Sequence, residues 1–261
     1  MNNLEIPKIG FGTWKLWGSE CVEAVKSAIE VGYRHIDTAR MYENEKQVGL
    51  GIIESGVKRE EVFITTKICE PDTSFEKVLL AVENSLFNLQ TSYIDLVLIH
   101  EPYSNFIQMY RALEDLQNRG IVRYIGVSNF NKFELDSLIK SCSVMPYVNQ
   151  IENHIFFQNR DFVTYMQNID INVVAWSPLC ADISKINNND IILKLSKKYF
   201  KTPAQIALKF LLQRNIFIIP KTKRLDRMKE NLNLFDFKLT NEDINLLNNL
   251  DKDVSLFGWC Y

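Results

Sequence analysis

Histidine is scarce. His35, His100 and His154 are the only three in 261 residues, too few and too badly spaced for a metal site, so no metal is expected. Five cysteines, Cys21, Cys69, Cys142, Cys180 and Cys260, stand scattered with no Cys-x-x-Cys pair. That speaks against a disulfide framework and for reduced thiols used as small core residues in a cytoplasmic setting. No apolar run approaches the roughly 20 residues of a membrane span. The opening "MNNLEIPKIG" lacks the basic head and apolar core of a signal peptide, and no membrane partner is expected. Basic charge is not in excess: 30 Lys and Arg face 32 Asp and Glu, for a net charge of -2. The electrostatic footprint of a nucleic-acid binder is therefore missing. Glycine-rich phosphate loops are missing too. "GFGTWK" and "GLGIIE" each hold a GxG pair without the third glycine, and helix packing or a tight turn accounts for them. Neither a nucleophilic serine elbow nor a P-loop occurs.

What the chain does contain is a rhythm. A short apolar strand is followed by a helical stretch of about 10–15 residues and a short turn, again and again. "KIGFGTWK" precedes "ECVEAVKSAIEVG". "YRHIDTA" precedes a helix over about 44–55, and "VFITTKI" one over about 74–89, with Asp72, Thr73 or Ser74 as its N-cap. "IDLVLIH" precedes "FIQMYRALEDLQNRG", where Gly120 suits a C-terminal cap. "VRYIGVS" precedes "NKFELDSLIKS", "YVNQI" a helix from about Asn159, and "INVVAWS" two helical patches near 189–200 and 203–214. "IFIIP" precedes "RLDRMKENLN". Eight strand–helix units without a linker predict an α/β fold. The expected form is a (β/α)8 TIM barrel, one domain over residues 1–261 with a short N-terminal extension and auxiliary helices. The doubly wound open sheet is the rival, but it needs the phosphate loop that the glycines do not provide.

In a barrel, chemistry sits where strands end. Asp37 ends "RHID", Lys67 ends "VFITTK", His100 ends "LVLIH", and Tyr42 lies in the loop after Asp37. A lysine ending a buried strand needs a partner, and Asp37 on the neighbouring strand is the natural one. Any one of the four could be a satisfied structural group. Together they form a chemical set. An ammonium beside a phenol favours phenolate and lowers the phenol pKa from about 10, bringing tyrosine towards use as a general acid. An imidazole nearby can hydrogen-bond a carbonyl oxygen.

The stretches "IPKIGFGTWK", "GYRHIDTARMYENEKQVG", "SGVKREEVFITTK", "SYIDLVLIH", "GIVRYIGVSNF", "VNQIENH", "VVAWSPL" and "IPKTKRLDRMKEN" follow one another in an order and spacing that resembles the aldo-keto reductases over nearly the whole chain. The resemblance is to the short-loop bacterial diketogluconate and glyoxal reductase type. It implies a barrel that binds NADPH without a Rossmann domain, and the catalytic tetrad Asp37, Tyr42, Lys67 and His100. In that reading Tyr42 donates the proton, the Lys67–Asp37 pair tunes it and His100 orients the carbonyl. NADPH-dependent reduction of small polar aldehydes, α-dicarbonyls or keto-sugars by a monomer is the function implied. A non-catalytic NADPH-binding auxiliary subunit of the same superfamily is the other reading, and the complete tetrad favours the enzyme.

The resemblance also implies the cofactor contacts. Ser128, Asn129 and Gln150 match residues on the nicotinamide carboxamide. Trp176 matches the ring stacked on nicotinamide, and Ser177 could reach the pyrophosphate. Thr13, Trp14 and Asp37 complete that end. Lys221, Thr222 and Arg227 match residues that hold the 2′-phosphate, and Glu230 and Asn231 match adenine contacts. One physical argument points the same way. Lys221, Lys223, Arg224 and Arg227 crowd the start of a helix, where cations oppose the dipole and make sense around an anion. For the substrate, Trp14, Tyr42, His100, Glu101 and Trp259 are the expected lining, with short loops leaving the pocket open. Glu101 departs from the family, where tryptophan or glutamine is usual. His154 is read as structural.

Overall fold

The computed structural model describes residues 5–259 and 261. Eight strands form one all-parallel sheet in chain order: β1 (Phe11–Gly12), β2 (His35–Asp37), β3 (Phe63–Ile68), β4 (Ile94–Ile99), β5 (Val122–Ser128), β6 (Val148–Glu152), β7 (Asn172–Trp176) and β8 (Phe217–Ile218). The sheet curls until its two edges meet. Ile9 forms a parallel bridge with Ile218, and the Gly10 N–H donates to the Ile218 carbonyl at 2.8 Å. Helices alternate with the strands: α1 (Gly18–Glu30), α2 (Glu45–Glu54), α3 (Phe75–Leu89), α4 (Phe106–Asn118), α5 (Lys132–Ile139) and α6 (Arg160–Asn168). After β7 come α7 (Ile183–Asn187), α8 (Asp190–Tyr199) and α9 (Pro203–Gln213), and after β8 come α10 (Leu225–Leu232) and α11 (Asn241–Asn248). Ser74 caps α3 by accepting from the Lys77 N–H, and Asn131 and Thr202 close capping boxes on α5 and α9. The strand–helix rhythm gave no sign of the five-residue α7. Among the described residues no helix is long and apolar enough to cross a membrane. The expected N-terminal extension includes Met1–Leu4, which lie outside the described residues.

Two cores follow from the strand period of two. Ile64, Val97, Ile99, Ile125, Val127, Ile151, Val173 and Ala175 face the helices and join the larger cluster. The alternate residues Phe63, Leu96, Leu98, Val148, Val174 and Phe217 face inward and form a second, smaller cluster with Tyr124, Tyr147 and Trp176. Continuing that inward row along each strand gives Asp37 on β2, Lys67 on β3, His100 after β4, Ser128 on β5, Gln150 and Glu152 on β6, and Trp176 on β7. One parity sends the apolar residues to the interior floor and the polar ones to the strand ends above it.

The GxG pairs have packing reasons. A Cβ on Gly49 would lie 2.6 Å from the Leu89 carbonyl oxygen and one on Gly51 2.7 Å from that of Val22. These glycines let α2 lie close against α3 and α1. Of the cysteines, Cys21, Cys69 and Cys180 are buried as expected, Cys142 is half-buried, and all four are free thiols. Cys260 lies outside the described residues. At the far end of the strands, buried Asp95 accepts from Arg59 at 2.6 Å and Arg123 at 2.8 Å, and both guanidinium groups lie over the Tyr93 ring.

Candidate active site

Because β2 and β3 are neighbours, Asp37 and Lys67 meet above the interior floor. The Lys67 ammonium donates to Asp37 Oδ1 at 2.6 Å and to the Thr38 carbonyl at 2.9 Å. Both side chains are essentially inaccessible to water. Burial alone would lower the lysine pKa, but Asp37 and Tyr42 outweigh it and raise it, so the ammonium stays charged. The second Asp37 oxygen accepts from Gln150 Nε2 at 2.7 Å. The Thr13 N–H and hydroxyl both donate to the Asp37 carbonyl, at 3.0 and 2.9 Å.

Tyr42 ends a single 3-10 turn, Arg40–Tyr42. Two anchors hold that loop. Arg40 pairs with Asp72 at 2.9 Å and donates to the Ala81 carbonyl. Asn44, fully buried, donates to the Thr13 and Leu16 carbonyls and accepts from the Thr38 hydroxyl. The phenol oxygen thereby lies 3.4 Å from the Lys67 nitrogen. Burial raises the Tyr42 pKa, and Lys67 pulls it back without reversing the shift. The lowering expected from the sequence is thus a partial offset. Desolvation of a phenolate outweighs one nearby ammonium already shared with Asp37.

The His100 ring meets the Tyr42 ring edge-on, with centroids 5.9 Å apart. Burial, followed by the Lys67 charge, lowers its pKa to about 3. At neutral pH it is a neutral imidazole, able to donate one hydrogen bond and to accept another. Its Nδ1 is buried without a protein partner, and its carbonyl accepts from Asn129 Nδ2 at 3.2 Å.

Ser128, Asn129, Gln150, Trp176 and Ser177 come together beside this cluster. Asn129 and Ser177 are the first residues off β5 and β7, and both have left-handed backbones, at φ 62° and 49°. Asparagine tolerates that corner; serine there is strained. The Ser128 hydroxyl donates to the Gln150 carbonyl at 2.9 Å. Asn129 Oδ1 accepts twice, from the Trp176 indole N–H at 2.9 Å and from the Tyr261 hydroxyl at 3.0 Å.

The basic stretch divides. Lys223 pairs with Glu20 of α1 at 2.5 Å, and Arg224 with Asp226 at 2.5 Å. These two cations, counted above around an anion, have carboxylates of their own. Lys221 and Arg227 are exposed with no ion pair among the described residues. Partial burial, Lys223 and Lys15 lower the Lys221 pKa, the sign of cations gathered in one place. Thr222 is buried beside it, its hydroxyl accepting the Arg224 N–H. Glu230 accepts from the Thr202 hydroxyl at 2.6 Å, and Asn231 is buried.

Trp14 is exposed at the rim. Glu101 is half-buried, and its carboxyl pKa is raised by burial and by Glu70. Trp259 does not reach Trp14. It stacks on Tyr261, with ring centroids 6.5 Å apart. Phe257 instead stands between Trp14, at 6.5 Å, and Trp176, at 5.2 Å. Sequence reading missed Phe257, Tyr261 and Glu152. Glu152 carried the same signal as Lys67, a charge ending a buried strand.

A parallel α/β fold that gathers an ion-paired lysine, a phenol and a neutral imidazole at its strand ends defines an oxidoreductase. The aldo/keto reductase family model matches residues 8–252, and the chain belongs to that family. It is 44% identical to the 9,11-endoperoxide prostaglandin H2 reductase of Trypanosoma cruzi, over 98% of this chain and 92% of that one. It is 42% identical to the glyoxal reductase of Bacillus subtilis, over 97% and 91%. An aldo-keto reductase of Bombyx mori, solved in complex with NADP, superposes with a TM-score of 0.92 at 33% identity, over 97% and 93%.

Proposed function

We propose that the chain is an NADPH-dependent carbonyl reductase in which Tyr42 delivers the proton. The observation that carries this reading is the single ammonium of Lys67, bonded to Asp37 at 2.6 Å and to the Tyr42 oxygen at 3.4 Å, with the His100 ring beside the same phenol. The eight parallel strands and the Ile9–Ile218 bridge support a closed (β/α)8 barrel, one domain over residues 1–261. The donor set fits NADPH. Lys221 and Thr222, ahead of α10, and Arg227 on it offer charge and a hydroxyl for the 2′-phosphate, and Glu230 and Asn231 lie on the same helix as Arg227 for adenine. Ser128, Asn129 and Gln150 would hold the carboxamide, with Trp176, Ser177, Thr13 and Trp14 around them. The relative solved with NADP supports this choice of cofactor.

The chemistry supplied by bound NADPH is hydride transfer to the carbonyl carbon. The residues of the chain do the rest. Neutral His100 donates to the carbonyl oxygen and fixes its direction. Tyr42 passes its phenolic proton to that oxygen as negative charge develops there. Lys67 stabilises the phenolate left behind, and Asp37 keeps the ammonium in place. The carbonyl gains a hydride and a proton and becomes an alcohol.

Small polar aldehydes, α-dicarbonyls or keto-sugars are the substrate class, supported by the glyoxal reductase among the relatives and by the short loops at the rim. The chain acts as a monomer in the cytoplasm. NADPH oxidation with methylglyoxal, beside NADH at the same concentration, tests the reading. A preference for NADH in kcat/KM would overturn the cofactor assignment.

A further inference from the structure

Glu152 has no part in the proton path, yet its carboxylate is fully buried at the end of β6, two residues beyond Gln150. Its bonds run mostly to the end of the chain. Oε2 accepts from the Ser255 hydroxyl at 2.5 Å, and Oε1 accepts from the Leu256 N–H at 2.9 Å. His154 Nε2 stands 3.2 Å from Oε1. The Glu152 N–H donates to the Tyr261 hydroxyl at 3.0 Å. Despite burial, these donors hold the carboxyl below its usual pKa, so it remains an anion.

Ser255 relays the tie. Its oxygen also accepts the N–H groups of Phe257 and Trp259, at 3.0 and 2.9 Å, and Gly258, at φ 84°, completes the turn. The turn sets the Phe257 ring between Trp14 and Trp176. A strand that carries Gln150 to Asp37 thus also fixes residues 255–259 across the mouth of the site.

We propose that Glu152 is a positioning residue for substrate selection: through Ser255 it holds Phe257, packed edge-on against Trp14 and Trp176, as the apolar wall that meets aldehydes bearing a flat apolar group. Small dicarbonyls do not extend to that wall. The proposal rests on the carbonyl-reductase reading above and adds a residue to it.

Glu152→Gln, Ser255→Ala and the double variant test it, with benzaldehyde and methylglyoxal as substrates. Each single variant should raise KM for benzaldehyde about five-fold, the size of one aromatic contact, and the double variant no further, since both break one tie. The kcat and KM for methylglyoxal should stay within about two-fold. Independently of turnover, amide exchange at Leu256, Phe257 and Trp259 should quicken at least ten-fold in both single variants. Equal loss of kcat on both aldehydes, additive effects in the double variant, or unchanged exchange would each overturn the proposal. If Glu152→Gln does not fold, Ser255→Ala carries the same two measurements alone. A wild-type enzyme inactive on both aldehydes would sink the reductase reading; the exchange measurement would still decide the tie.

Discussion

The Tyr261 hydroxyl and Asn129 Oδ1 are joined at 3.0 Å, and the same oxygen takes the Trp176 indole N–H. A carbonyl oxygen has two lone pairs, and both are committed. A nicotinamide carboxamide that is to donate to Asn129 must displace one of these donors. Tyr261→Phe removes one and keeps the ring stacked on Phe162. NADPH should then bind about five-fold tighter, the yield of one ordinary hydrogen bond, as read by quenching of tryptophan fluorescence. Weaker binding would mean that Tyr261 holds Asn129 in its working orientation.

Removing the Tyr42 hydroxyl removes the proposed proton donor and leaves the Lys67–Asp37 pair intact. Tyr42→Phe should lower kcat for methylglyoxal roughly a thousandfold, within the range for a general acid, while the Kd for NADPH stays within two-fold. Turnover near the wild-type rate would assign the proton to another group.

Acid should destabilise the fold through two buried imidazoles. Burial lowers His35 to about 4, and burial with Lys67 lowers His100 to about 3. Above pH 6.5 both are neutral in the folded and unfolded chain. Below it the unfolded chain binds protons that the folded chain refuses, so stability is full above pH 6.5 and falls as the pH drops towards 3. Each imidazole adds a slope of up to about 1.4 kcal/mol per pH unit. Urea midpoints between pH 7 and 4.5 should fall less steeply in His100→Asn than in wild type; equal slopes would remove His100 from the account.

At the opposite end of the strands, Asp95 is the shared acceptor of Arg59 and Arg123. Asp95→Ala leaves two guanidinium groups facing each other without their carboxylate. A loss of about 3–5 kcal/mol is expected, seen as a lower midpoint in urea, with kcat per folded molecule unchanged because every site residue lies at the other end. A loss below 1 kcal/mol would mean that water replaces the carboxylate.

Glu101→Trp exchanges a half-buried carboxylate for a ring of the kind usual in the family. The ratio of benzaldehyde to methylglyoxal kcat/KM should rise about five-fold or more. An unchanged ratio would place Glu101 outside the substrate's reach.

The alternation of strands and helices was legible because a short apolar run followed by a helical stretch recurs eight times along the chain. The strand-end polar residues were legible because a charge terminating an apolar run contradicts its surroundings. What could not be read depends on long-range placement. The net pKa of Tyr42 is a balance of burial against a cation 25 positions away. Lys223 and Arg224 have the composition of a phosphate site, but Glu20 and Asp226 reach two of its cations first. The tail "LFGWCY" offers several aromatic rings without periodicity, and only the tie through Ser255 decides that Phe257, rather than Trp259, meets Trp14.

The inward parity of the strands has a consequence for anyone redesigning this enzyme. Asp37, Lys67, His100 and Gln150 are set by strand register, while Trp14, Glu101 and Phe257 belong to loops and the tail. The proposed catalyst and the proposed selector are thus written in separable parts of the chain. Grafting a relative's rim loops should transfer its substrate preference, whereas a one-residue insertion in β3 or β4 would turn the chemistry to face the helices.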